Sequence, residues 1–136
     1  MLGEQIGEAK GKSMGQRVLN VREGLAKIET SFSESGKLKG IEFTNIGTFW
    51  AITRLGGTQY GEGHGVIMTK SSDETATWTG YGVGGFTSPG RIRYYGSFFY
   101  RTSSTGKLAF LNNLVGLFEY EWDESGNSTA KVWEWK

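Results

Sequence analysis

The chain has 136 residues, one proline, no cysteine and 22 glycines, about twice the usual share of glycine. A chain of this length makes one domain and buries about two-thirds of its unfolded surface. Five Trp, six Tyr and eight Phe exclude the aromatic-poor composition of disorder. Without cysteine there is no disulfide and no thiolate metal site. Fifteen basic and fourteen acidic residues are spread over both halves, so the chain lacks the clustered basic footprint of a nucleic-acid binder.

Residues 1–15 are rich in Gly, Lys and Glu with isolated Leu2, Ile6 and Met14, which predicts a flexible arm or short helix ahead of a single domain over 16–136. This segment has no apolar signal-peptide core, and nowhere do 18 apolar residues run together. A cytoplasmic protein with no membrane insertion is expected. From Arg17 the pattern turns to β. Strands are predicted at Arg17–Arg22, Leu25–Ser33, Leu38–Phe43, Thr48–Arg54, Gly63–Lys70, Thr75–Gly84, Arg91–Arg101, Lys107–Leu111, Val115–Trp122 and Thr129–Trp135. Turn chemistry separates them, including Glu34-Ser35-Gly36, Gly56-Gly57, Ser88-Pro89-Gly90 and Asp123 to Asn127. No stretch holds a helical apolar period long enough for a βαβ crossover, so neighbours pair antiparallel. The expected fold is all-β, a closed or nearly closed antiparallel meander barrel of about 8–10 strands.

Glycine placement favours closure over a sandwich. Gly61, Gly63 and Gly65 alternate, as do Gly80, Gly82 and Gly84, and a strand bare on one face can curl or let a neighbouring ring lie across it. Rings alternate as well. Ile92, Tyr94, Phe98 and Tyr100 share a core-like face, Arg93, Tyr95 and Phe99 the opposite one, while Trp78 sits on the glycine face of its strand and Tyr81 opposite. Both faces of several strands carry rings, so alternation leaves open which points inward, and whether the interior is a cavity or solid.

The segment most like a site is Tyr60-Gly61-Glu62-Gly63-His64-Gly65. Tyr60, Glu62 and His64 share a face, and His64 is the one side chain whose ordinary pKa lies near neutrality. Glu62 and His64 are therefore the catalytic candidates. Tyr60, His64, Trp78, Tyr81, Arg93, Tyr95, Phe99 and Glu119 are the candidate ligand contacts. An Arg93–Glu119 pair, if interior, would mark a pocket for an anion or carboxylate. A single histidine makes no metal site, and no cofactor is expected. Gly7-Glu8-Ala9-Lys10-Gly11-Lys12-Ser13 satisfies the bare phosphate-loop pattern, but no parallel α/β sheet surrounds it. Ser35-Gly36-Lys37-Leu38 is echoed by Thr105-Gly106-Lys107-Leu108, which would fit two related hairpins or one turn solution used twice.

Taken with Ala76-Thr77-Trp78-Thr79-Gly80, the Thr105-Gly106-Lys107-Leu108 turn and the closing strand Lys131-Val132-Trp133-Glu134-Trp135, the glycine-rich centre resembles small calycin-type barrels. The likeness is greatest to allene oxide cyclase-like barrels and related uncharacterised bacterial proteins, over residues 17–135. No catalytic motif of the plant cyclases is present, so the resemblance carries over no catalytic residue. It implies a barrel that takes apolar small molecules and associates through its outer walls as a homo-oligomer. The expected function is non-enzymatic binding of a small apolar or carboxylate-bearing molecule inside the barrel. The alternatives are an isomerase or cyclase with Glu62 and His64 shuttling a proton, and a solid-cored barrel acting as an interaction module.

Overall fold

The computed structural model describes residues 1–136. Eight strands follow one another: β1 (Leu2–Arg22), β2 (Leu25–Leu38), β3 (Ile41–Thr53), β4 (Gln59–Thr69), β5 (Thr75–Ser88), β6 (Arg91–Arg101), β7 (Val115–Trp122) and β8 (Asn127–Trp135). Each pairs antiparallel with the next, and β8 pairs with β1 to close the barrel. No helix of the chain is long and apolar enough to cross a membrane.

Closure follows from which residues face inward. Phe32, Trp78, Ile92, Tyr94, Tyr100 and Phe118 are buried, and the intervening side chains of their strands face outward. The glycine trios of β4 and β5 take the inner face with them. A Cβ on Gly65 would sit 2.5 Å from the Trp78 indole nitrogen, and one on Gly80 would sit 2.6 Å from the Phe98 ring. These glycines hold the backbone against rings from neighbouring strands, where any side chain would collide.

Four sequence expectations are corrected. Residues 1–15 form neither an arm nor a helix; they belong to β1, which also absorbs the separate strand expected at Arg17–Arg22. The phosphate-loop-like segment lies within that strand. Glu34-Ser35-Gly36 is not a turn, because β2 runs through it to Leu38 and the chain reverses at Lys39-Gly40. Both residues of that turn have positive φ, 47° and 79°, the type I′ geometry that matches strand twist. Lys107–Leu111 is not a strand either: Ala109–Leu111 is a single 3-10 turn. The echo between residues 35–38 and 105–108 thus joins a strand to a loop, and no pair of related hairpins underlies it.

The two ends of the barrel differ. At one end Leu108 and Leu111, both wholly buried, plug the bore against Ile6, Leu38 and Ile67. The Glu74 carboxylate holds the plug, accepting from the Leu108 backbone N–H at 3.1 Å and from the Ser104 hydroxyl. At the other end β1 outruns its neighbour. It pairs with β8 only from Leu2 to Lys12, so from Met14 to Arg22 its sole partner is β2. This projecting hairpin exposes Val18 and Val21.

Candidate functional site

Rings meet in the bore between these ends. Phe98 and Phe118 stack at 4.2 Å and 11°. Trp78 leans on Phe98 at 4.8 Å, and Phe49 meets Tyr94 and Tyr120 edge-on near 6 Å. They line a partly open, almost wholly apolar cavity of about 60 Å³, walled on one side by the bare backbone of Gly61, Gly63, Gly80 and Gly82. Edge-to-face and offset contacts of this kind are the favoured aromatic geometries. Burial pushes the Tyr94 phenol up to about 12, and its hydroxyl donates to Gln59 Oε1. Burial likewise raises Tyr100 and Tyr120. These phenols are neutral donors across the physiological range.

One wall of the bore is polar. Trp78 Nε1 donates to Asn45 Oδ1 at 2.8 Å, and Asn45 Nδ2 donates to Glu34 Oε1 at 2.9 Å. Because an indole N–H can only donate, it fixes the Asn45 amide with its NH₂ toward Glu34. Burial raises the Glu34 pKa, offset in part by that Asn45 hydrogen bond. Glu34, Asn45, Trp78, Phe98 and Tyr100 also line a second void of about 20 Å³. Trp78 and Phe98 therefore stand between the two cavities.

Of the residues singled out in the sequence, Trp78 lies in this chamber, and Glu62 and Tyr81 border it between the glycines of β4 and β5. His64, Tyr81, Tyr95 and Phe99 are exposed, and the alternation of β4 to β7 puts Tyr60, Glu62, Arg93 and Glu119 on the outer wall with them. Tyr60 donates to Glu62 Oε2 at 3.0 Å, while His64 pairs across the sheet with Thr48 and Thr79. The Arg93–Glu119 pair forms at 2.8 Å, but with 38% and 46% of the side chains exposed it is a surface pair, and such pairs contribute about 0.2–1 kcal/mol. It floors an open outer groove of about 730 Å³ with Tyr60, Tyr81, Tyr95 and Trp133 around it. The predicted residues thus separate into Trp78 inside the chamber, Glu62 and Tyr81 at its glycine wall, and an outer group.

Glu34 is the functional candidate the sequence reading passed over. Its Glu-Ser-Gly context imitates a turn, yet Thr30, Phe32, Glu34 and Leu38 alternate inward and all four are buried. That alternation is the signal that would have found it.

No family model and no curated protein matches the chain. Solved structures do match it. A conserved protein of unknown function from Rhodopseudomonas palustris aligns over 98% of this chain and 97% of its own, with a TM-score of 0.77 and 10% identity. A protein of unknown function from Clostridium acetobutylicum aligns over 96% of both chains, with a TM-score of 0.80 and 10% identity. An enzyme from Penicillium herquei aligns over 96% of this chain and 92% of its own, with a TM-score of 0.66 and 17% identity. The chain is thus a closed eight-stranded antiparallel barrel that loosely resembles uncharacterised bacterial barrel proteins.

Proposed function

We propose that the protein binds a small, largely apolar ligand in the ring-walled chamber, without chemical turnover. The observation that carries this reading is the cavity of about 60 Å³ lined by aromatic rings in a closed barrel. Apolar burial supplies about 25 cal/mol per Å² removed from water. A cavity of this size is well below the ~300 Å³ of a drug-sized pocket, so it takes a compact molecule or one compact end of a longer one. A larger occupant requires the Trp78 and Phe98 rings to swing and join the two voids.

Two finer expectations lose their support. The proton shuttle assigned to Glu62 and His64 is split, because Glu62 borders the chamber whereas His64 is exposed and does not line it. A carboxylate-bearing ligand would find no cation in the bore, because Arg93 faces out, and would meet the Glu34 carboxyl instead.

Xenon, a spherical apolar probe that dry protein cavities accept, tests the reading. Xenon-129 NMR should show a resonance displaced from that of free xenon, with matching shifts at the Phe98 and Phe118 ring protons. A free-xenon resonance alone, with those protons unmoved at saturating pressure, would sink the proposal.

A further inference from the structure

Three buried polar side-chain atoms make no hydrogen bond: Glu34 Oε2, Ser128 Oγ and Trp122 Nε1. They are not scattered. Asn45 pairs with Glu34, Glu34 with Gly11, Gly11 with Ser128, and Ser128 with Trp122. All three belong to one cross-strand row on the inner face of β2, β1, β8 and β7. Gly11 contributes no side chain between Glu34 and Ser128, and Glu34 takes the space over it, its Cβ 2.6 Å from where a Gly11 Cβ would stand.

The chemistry of this row is set by its donors. Trp122 Nε1 can only donate. Glu34 Oε1 already accepts from Asn45, which the Trp78 indole holds in that orientation. Glu34 is buried and has no cation beside it: its one hydrogen-bond partner is a neutral amide, and neither salt bridges nor cations enter the bore. An unpaired buried carboxylate is costly enough that the group holds its proton instead. With Oε1 occupied as an acceptor, the proton belongs on Oε2, which then becomes a donor. A carboxylic acid kept neutral by its surroundings to donate a hydrogen bond is an established device. Ser128 can donate as well. Its hydroxyl also accepts and lies beside that of Tyr120, so the unpaired donors of the row are the Glu34 acid and the Trp122 indole.

We infer that the ligand's polar end is a hydrogen-bond acceptor, a carbonyl oxygen on an otherwise apolar molecule, which takes the Glu34 acid proton in the second void while its hydrocarbon body lies among the rings of the chamber, the Trp78 and Phe98 rings swinging aside to join the two. This deepens the proposed function and rests on it. An amine would need Glu34 ionised in a bore that holds no other charge. A carboxylate would put a second unpaired charge in the bore. The carbonyl accepts the Glu34 proton and brings no charge.

Acetone and 2-methylpropene have the same shape, with C=O replaced by C=CH₂, and both are compact enough for the chamber. Their dissociation constants for the intact protein are read by NMR titration of the ring protons and the Trp122 indole N–H. In a wall that offers no donor, the alkene should bind about tenfold or more tighter, because the ketone must give up its hydrogen bonds to water. The inference expects acetone to bind at least as tightly as the alkene, and its carbonyl carbon resonance to move in the hydrogen-bonded direction. Glu34→Leu should restore the alkene preference, whereas Glu34→Gln, which keeps an N–H donor, should retain acetone binding. If Glu34→Leu does not fold, the Glu34→Gln and wild-type comparisons decide it. Alkene binding with a tenfold or larger preference over acetone overturns the inference and leaves the apolar chamber standing. Binding of neither molecule overturns both.

Discussion

A carboxylic acid walled in by aromatic rings ties the stability of the barrel to pH. Burial holds the Glu34 pKa above the ordinary 4.5, so the folded protein keeps this proton more tightly than the unfolded chain does. The sign follows from linkage. The contribution of Glu34 is fully present below about pH 4.5 and is lost as pH rises through its folded value. Tyr100 and Tyr120, the ionisable groups electrostatically coupled to it, are themselves raised by burial and stay neutral over that range. Glu34→Gln removes the proton while keeping the shape. Its melting temperature should therefore decline less than that of the parent between about pH 5 and pH 9. Parallel profiles would show that Glu34 does not titrate with folding. Glu74 and Asp73 have the opposite sign, since hydrogen bonds from Ser104 and from Ser71 respectively hold their pKa values low. Their contribution is present above the ordinary carboxylate range and is lost as pH falls. At this scale the sequence was legible wherever a large side chain announced its face, as with Trp78 and Tyr94. It was opaque at Glu34, where a polar residue beside Ser35 and Gly36 mimics a turn.

Among the elements, the plug is the part whose role differs most from its sequence pattern. Leu108 and Phe110 alternate as a strand would, yet the segment makes a 3-10 turn because it must fold back across the end of the bore. Leu111 N donates to Leu108 O at 3.0 Å, and Leu114 N to Leu111 O at 3.1 Å. Leu111 is fully buried, and its truncation to Ala should cost about 2–5 kcal/mol, measured by chemical denaturation. A loss below about 1 kcal/mol would show that the plug can collapse without harm. β1 escaped notice for a related reason. Its inner face over the core carries Gly7, Ala9 and Gly11, small because Leu38 and Glu34 of β2 occupy the space a Cβ would need. A strand that packs by yielding room has no hydrophobic alternation to read.

For the whole molecule, closure was legible because glycine is concentrated in the centre of the chain, where β4 and β5 must make way for rings. Which wall is interior was not, because Tyr81, Tyr95 and Phe99 make the outside nearly as aromatic as the inside. Closing a sheet removes its edges, but here closure is incomplete. From Met14 to Arg22 the outer edge of β1 has no strand beside it. The ladder in that stretch is broken twice, once at Met14, between Ser13 and Gly15, and again at Leu19, between Val18 and Asn20. Such irregularities turn an exposed edge away from incoming chains. The two extra residues thus act as a guard against polymerisation. Deleting Met14 and Leu19 together should straighten the edge and give dimers or fibres that grow with concentration, seen by sedimentation and light scattering. If the shortened protein sediments as its parent does, the guard lies elsewhere. A barrel with an overhanging hairpin has one place where copies of itself could join end on end, and two extra residues keep that place crooked.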